Sequence, residues 1–447
     1  MKSFENIFKS IDEDDIEYIY LLFFDIKGLI HTVQTFSKDA YRILSYGLSL
    51  NISDIEGFDT MKIINLIPIP ATFTILPWRP QQGKCASMIC QILPLQKQSP
   101  NLDSRNISAR TMEKCISHGL FFEITPGIEF YTFHTDDAGL PTTLTYDKSN
   151  EYDFGPADTG LNLKRDITLT LSECEISATH FFTKKDPGLH EIVLHQKDLQ
   201  TICDTISITK SICKIIGGRH GFHVSFLPKP TNNASGSNMP LQFICLNDDE
   251  NNILYNEHDK NKLSDIGYNF IAGILKHIRE ISLITNPLIT SYKKLASSRI
   301  GSYVGWTSDS TNLNTVIQII PSFIENDVMI QISNVDVSCN SHLALSLLLE
   351  AGLDGITNNL LPPQEMEASS FNKSDTDLSL QKYYSSSFIY GKKLSMNLKK
   401  STFAQRVLGN DIFQKYIEIK SGNIKNTQKP YPSGNLINIW EIISFWE

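Results

Sequence analysis

Apolar and polar positions alternate with a period of two early in the chain, in "EYIYLLFFDIKGLIHTVQTF". This pattern predicts two strands joined at "DIKG", where Gly28 tolerates the positive φ of a tight turn. A helical "SKDAYRILSYG" and a polar loop "LNISDIEGFD" follow. Two more strand-like runs come next, "MKIINLIPIPATFTILPW" and "CASMICQILPL", split by the turn "RPQQGK". Together these outline a small α/β unit that ends near Asn101. Beyond it, "SRNISARTMEKCISHG" predicts a helix, "LFFEITPGIEFYTF" and "SATHFFT" predict strands, and "LHQKDLQTICDTISITKSICKIIGG" predicts a helix closed by its glycines. "KLSDIGYNFIAGILKHIREISLIT", stopped by "NP", is a further helix, as are "SHLALSLLLEAGLDGI" and "TFAQRVLGNDIFQKYIEIK". The polar, Ser-rich "LPPQEMEASSFNKSDTDLSLQKYYSSS" predicts a loop with short helices. No internal repeat is present.

A chain of 447 residues exceeds the size at which one core keeps growing, so two domains are expected. A hydrophobic content of 41% with 20% charged residues describes a folded, soluble protein. The net charge of -9, without a basic run, argues against nucleic acid as a partner. "IINLIPIPATFTILPW" is too short and too broken by proline to span a bilayer, so no membrane partner is expected. The N-terminal "MKSFENIFKSIDEDDIEY" lacks the pattern of a secretory leader. Eight scattered cysteines without a CxxC pair predict buried thiols in a reducing, cytoplasmic compartment. "HEIVLH" places His190 and His195 five apart rather than four, which removes the zinc-protease reading. "IIGGRHG" follows a helix and precedes a strand, the reverse of a phosphate-binding loop, and predicts a helix-ending turn.

Several stretches, taken in order, resemble type I glutamine synthetases: "IPIPATFTILPW", "DSR", "GIEFYTF", "DPGLHEI", "GFHVSFLPKP", "GSNMP", "TNPLITSYKKL" and "LGNDIFQKYIEIK". The resemblance implies an α+β fold. A small N-terminal β-grasp domain, residues 1–103, would precede a large catalytic-type domain, residues 104–447, whose antiparallel sheet forms a funnel surrounded by helices. It also implies ATP with Mg or Mn, and a ring-shaped homo-oligomer or a mixed oligomer with an active paralogue. In the family, glutamate attacks the γ-phosphoryl group and ammonia displaces phosphate. Both steps gather negative charge that metals and arginines must offset.

The positions that carry this chemistry depart from the family pattern. The ExE strand matches "GIE", leaving Glu129 and replacing the first carboxylate with Gly127. The HHE stretch matches Phe181, Phe182 and Thr183, while Glu191 keeps the later carboxylate. Glu129 and Glu191 are thus candidate ligands of a single remnant metal site that lacks its third carboxylate at Thr183. Pro240 and Gln242 of "GSNMPLQ" stand where two histidines belong. Gln331 of "MIQIS" replaces a carboxylate, with Met329 and Ser333 at two arginine positions. The second metal would therefore be left with Gly127, Pro240 and Gln331, a set with no anionic ligand and no imidazole. Leu313 and Gln318 replace arginines, Arg299 replaces the shielding loop's Glu, and Asn51 replaces the Asp that deprotonates ammonium, which an amide cannot do. "NNLLPP" lacks the Tyr of adenylylated members. Lys229 of "FLPKP" and Lys294 of "SYKKL" remain as candidate nucleotide contacts.

These losses lead to the expectation of a catalytically degenerate homologue kept for binding, scaffolding or regulation. The rival is an active ATP-dependent glutamate-ammonia or glutamate-amine ligase with a rebuilt metal site, drawing on Glu129 and Glu191 together with Glu123 or Asp186. A third reading is a structural protein that never binds nucleotide.

Overall fold

The computed structural model describes residues 4–59, 63–78, 83–95, 100–147, 151, 160–195, 198–297, 300–322, 324, 326–366 and 396–426. Two sheets organise them. The first is built from β1 (Ile16–Phe24), β2 (Ile30–Phe36), β3 (Leu48–Asn51), β4 (Ile63–Pro68), β5 (Thr74–Ile75) and β6 (Lys84–Pro94), with helices α1 (Phe4–Glu13) and α2 (Ala40–Tyr46). Its order is β2-β1-β6-β4-β3, with β5 also paired to β6. The β1–β6 pair is parallel at the centre and the other pairs are antiparallel, which is a β-grasp arrangement. The run predicted as one strand over "MKIINLIPIPATFTILPW" is two: Pro70 opens a short 3-10 turn that separates β4 from β5.

The second sheet contains β7 (Phe121–Thr135), β8 (Pro141–Thr145), β9 (Ala178–Thr183), β10 (Leu189–Leu194), β11 (Phe222–Ser225), β12 (Leu241–Leu246), β13 (Tyr303–Thr307), β14 (Thr315–Pro321) and β15 (Val328–Ile332). Its order is β13-β14-β15-β12-β7-β10-β9, with β8 and β11 also on β7. All its pairs are antiparallel except β13–β14. At 15 residues, β7 is far longer than an average strand and is the spine of the sheet. Helices α3 (Arg105–Ser117), α4 (Leu161–Glu173), α5 (Leu199–Arg219), α6 (Asp265–Thr285), α7 (Ile289–Ser297), α8 (Ser341–Thr357), α9 (Thr402–Leu408) and α10 (Asn410–Asn426) accompany it.

Helix α5 begins later than its apolar pattern predicts, because the Asp198 side chain caps it by accepting from the Thr201 amide. It also runs through Gly217 and Gly218 to Arg219, and the chain turns at Gly221, with φ at 76°. Helices α6 and α8 cross closely: a Cβ on Gly355 would meet the Asn269 carbonyl at 1.9 Å. All eight cysteines are buried and free, as their scatter predicts. No helix among the described residues is long and apolar enough to cross a membrane.

One seam joins the two sheets. The β1–β2 turn lies on the N-terminus of α8, whose Asn340 caps the helix by accepting from the Leu343 amide. The same side chain donates to the carbonyls of Asp25 and Ile26, at 3.4 and 3.2 Å. Nearby, Arg105 of α3 grips Asp204 of α5 through two nitrogens, at 2.8 and 2.7 Å. His342 of α8 approaches the same carboxylate at 3.3 Å. Asp103 accepts from the Ile92 amide of β6 at 3.0 Å. Arg105 and Asp204 thus satisfy each other, and backbone amides satisfy Asp103, as a low-dielectric seam requires.

Gly28 answers to both demands of the seam. Its φ is +87°, and a Cβ there would meet the Asn340 Cα at 2.8 Å. Gly28→Ala is expected to lower unfolding free energy by about 2 kcal/mol or more, measured by urea denaturation, since a left-handed non-glycine residue alone costs ~1–3 kcal/mol.

Candidate functional site

Glu129 and Glu191 face each other across the β7–β10 register, and both are buried. Two carboxylates so placed repel, and burial makes the repulsion stronger. The cation between them belongs to the chain itself. Lys184, the first residue after β9, reaches back so that its Nζ lies 3.3 Å from Glu129 Oε1 and 2.8 Å from Glu191 Oε2. The tight β9–β10 connection places it there: the Lys184 amide donates to the Leu189 carbonyl at 2.8 Å, closing the turn. The Phe182 ring lies 5.4 Å below the ammonium and adds a cation–π contact. Glu129 Oε2 also accepts from the Asn238 amide at 2.7 Å.

Burial works against the Lys184 charge, yet the two carboxylates outweigh it and raise its pKa above the ordinary lysine value. Burial pushes the Glu129 carboxyl up to about 7, opposed by Lys184 and reinforced by Glu191. Gly127 completes the arrangement. A Cβ at this position would meet Glu191 Oε1 at 2.1 Å and Pro240 Cγ at 3.0 Å, so the Glu191 carboxylate fills the space that a side chain at 127 would need.

At Thr183, the neighbouring position, a second lysine has moved in. Lys164 of α4 donates to Thr183 Oγ1 at 3.1 Å, and that oxygen lies 3.4 Å from both Asp147 Oδ2 and His190 Nδ1. Thr132 closes the cluster at 3.1 Å from His190 Nε2. Burial pushes His190 down to about 4, with the charge of Asp147 opposing, so the imidazole is neutral at physiological pH.

Phe181 and Phe182, which stand at the HHE positions, divide their work. Phe181 packs edge-on against Phe130 at 5.9 Å, while Phe182 carries Lys184. Asp186 is fully engaged, accepting from Tyr131 Oη at 2.7 Å and from the Ser235 amide and hydroxyl at 2.7 and 2.9 Å. Glu123 lies half-buried on the first half of β7, opposite Ile244.

Across the sheet, the substituted positions meet as a ladder of neutral amides. Gln242, Gln331 and Gln318 occupy matching register positions on β12, β15 and β14. Gln242 Nε2 donates to Gln331 Oε1 at 3.1 Å, and Gln331 Nε2 donates to Ser333 Oγ at 3.1 Å and Gln318 Oε1 at 3.4 Å. Ser333 donates to Gln318 Oε1, and Gln318 donates to Thr315. Amides can satisfy one another in this way without any charge. Pro240 accepts from the Gly127 amide through its carbonyl, and its side chain has no donor atom for a metal.

The remaining candidates lie apart or are engaged. Lys294 is buried, and its Nζ donates to Ser237 O at 3.1 Å, Asn238 Oδ1 at 2.8 Å and Asp336, so its charge is spent inside the fold. Burial raises the Asp336 pKa, with Lys294 opposing. Lys229 donates to the Ala234 carbonyl at 2.6 Å and pins its own loop. Leu313 is exposed. Asn51, on the first sheet, accepts from the Ser53 amide at 3.0 Å and forms a turn. Arg299 lies outside the described residues.

The residues do not fit the two divalent metals that the family resemblance implies. The surviving carboxylates hold an ammonium, and the other positions offer glycine, proline and amides. Among the described residues, no three His, Cys, Asp or Glu side chains converge where they could hold a metal ion. Sequence reading had both carboxylates but missed the lysine. The available signal was a lysine directly after the lost carboxylate position, in "FFTKK".

A β-grasp sheet beside a long-spined antiparallel sheet, with these positions facing one another across it, defines the class of glutamine synthetase-like ligase folds. The glutamine synthetase catalytic domain family matches residues 101–433, and the chain belongs to the glutamine synthetase family. It is 36% identical to the glutamine synthetase of Clostridium saccharobutylicum over 372 residues, 82% of this chain and 83% of that one. It is 30% identical to the glutamine synthetase of Staphylococcus aureus (strain Mu50 / ATCC 700699) over 426 residues, 93% of each chain. Solved structures of GmaS, an apo form without ligand and an ADP complex, share the fold with a TM-score of 0.81 at 16% identity, covering 97% of this chain and 98% of theirs.

Two outcomes test the ion triad. Lys184→Met strands two buried carboxylates and is expected to cost about 3 kcal/mol near pH 8, read from urea midpoints. The second outcome concerns pH. The folded protein holds a proton on Glu129 that the unfolded chain releases above its ordinary pKa of 4.5, so this group's contribution is full below that value and lost as pH rises through about 7. The stability difference between wild type and Glu129→Gln should therefore change in that direction between about pH 5 and 8. His190, whose effect has the opposite sign, is common to both proteins and cancels.

Proposed function

We propose that this chain is a glutamine synthetase homologue that has given up the two-metal ligase reaction and acts as a binding, scaffolding or regulatory protein. The observation that carries the reading is the Lys184 ammonium bridging Glu129 and Glu191, the two carboxylates left from the family's metal ligands. A monovalent, internally tethered cation offsets one of the pair's two charges but leaves no open coordination position for a phosphoryl oxygen. The glutamine ladder supports the same reading, because phosphoryl transfer needs positive charge where the γ-phosphate sits and amides supply none. Losing one such electrostatic donor costs roughly 3 kcal/mol of transition-state stabilisation, and several are replaced here. Assembly as a ring, alone or with an active paralogue, belongs to this proposal and rests on family membership.

The rival reading keeps an ATP-dependent carboxylate-amine ligase with a rebuilt site. It is favoured by the 36% identity to a glutamine synthetase over most of both chains. ADP release from the purified protein with Mg or Mn, glutamate, and ammonium or a panel of amines separates the two. The expected result is no release above that of a Glu129→Gln, Glu191→Gln double variant. Turnover that this variant abolishes would overturn the proposal and establish the rival.

A further inference from the structure

We propose that a cationic pocket at the seam between the β1–β2 turn and α5 is a binding site for a small tetrahedral oxyanion such as inorganic phosphate. The cavity has a volume of about 100 Å³ and is lined by Lys27, Ser207, Lys210, Ser211, Lys214 and Ser338 among others. Nucleotide-sized ligands need several hundred Å³, so the occupant is small.

Helical spacing explains how α5 presents this chemistry. Residues 207, 210, 211 and 214 follow an i, i+3, i+4, i+7 pattern and share one face of the helix. The face therefore carries two ammonium groups, beside two hydroxyls that donate to the Cys203 and Ser207 carbonyls at 3.4 and 3.3 Å. Among the described residues, no carboxylate lies within ion-pair distance of Lys210 or Lys214. The only hydrogen bond of the Lys210 ammonium among them is to the Val337 carbonyl, at 3.1 Å. Two neighbouring acids are already engaged. Asp25 accepts from the amides of Lys27 and Leu29, each at 2.9 Å, and faces His31 at 3.2 Å, while Glu56 pairs with Lys27.

Ser338 contributes an independent sign of a missing partner: its hydroxyl oxygen is shielded from solvent and has no hydrogen-bond partner. A buried hydroxyl left unmatched is costly, and Ser338 is among the residues that line this pocket. Burial pushes the Lys210 ammonium down to about 8, with the like charge of Lys214 adding to the cost, so a bound anion would relieve both. Leu227 and Leu288 form part of the wall, and apolar surroundings strengthen a charge-assisted hydrogen bond. Because the pocket is bounded by the first sheet's turn on one side and α5 on the other, an occupant would tie the two sheets together. This site is independent of the reading given under Proposed function.

The test uses the full chain and potassium phosphate, titrated calorimetrically and by thermal unfolding at constant ionic strength set with potassium chloride. Sulfate and acetate arms separate a tetrahedral dianion from a simple carboxylate. The expected results are a dissociation constant below about 1 mM, a rise in Tm beyond the chloride control, and binding roughly tenfold weaker in Lys214→Met and in Lys210→Met. Should Lys210→Met fail to fold, Ser338→Ala and Lys214→Gln carry the same comparison. Binding of acetate alone, no binding of phosphate or sulfate at about 10 mM, or undiminished binding in the lysine variants would overturn the proposal.

Discussion

Two carboxylates held side by side in a dry sheet must be neutralised, and the centre of this molecule is arranged around that requirement. Antiparallel pairing of β7 with β10 sets Glu129 directly across from Glu191, so the pair follows from strand register. Lys184 answers from the next hairpin, Phe182 supports the ammonium, and the Asn238 amide takes the remaining oxygen of Glu129. Gly127 is the other half of the solution. Without a side chain there, the Glu191 carboxylate can lie against β7, whereas any Cβ would displace it.

The rest of the sheet follows the same logic of removing net charge. Gln242, Gln331 and Gln318 bond side to side across three strands, so each amide is satisfied by its neighbour. A divalent cation at this place would require those positions to be anionic, and an arginine would require an anion to face. Neither demand remains. Lys294, a candidate nucleotide contact by sequence, is instead paired with Asp336 in a setting where neither charge could stand alone. The polar groups of the centre thus find their partners within the chain.

At the seam the balance differs. Arg105 and Asp204 compensate one another, and Gly28 lets the hairpin settle against Asn340. Lys210 and Lys214, one turn apart on α5, are left with no acidic partner among the described residues. Uncompensated positive charge beside a shielded hydroxyl is the reverse of what surrounds Glu129, and it marks the seam rather than the sheet centre as the place prepared for an anion.

Much of the fold was legible before any coordinates, because hydrophobic periodicity and turn residues are local properties. The DIKG hairpin, the long strand through "GIEFYTF" and the helices of the second half form where their patterns place them, except that Gly409, with φ at 77°, splits "TFAQRVLGNDIFQKYIEIK" into α9 and α10. Boundaries shifted where local chemistry outranked periodicity, at Pro70, and at Asp198, whose cap delays α5. The departures from the family pattern at Gly127 and Pro240 could also be read from residue identity, since neither side chain offers a metal ligand. What the sequence by itself could not determine is who replaces a lost partner. Lys184, Lys164 and the glutamine ladder act through contacts between strands and helices distant in the chain, and such contacts are set by register and burial. Sequence thus decided which groups are missing, whereas tertiary structure decided that their charges are balanced from within, because the cost of an unpaired charge exists only once folding has removed the water.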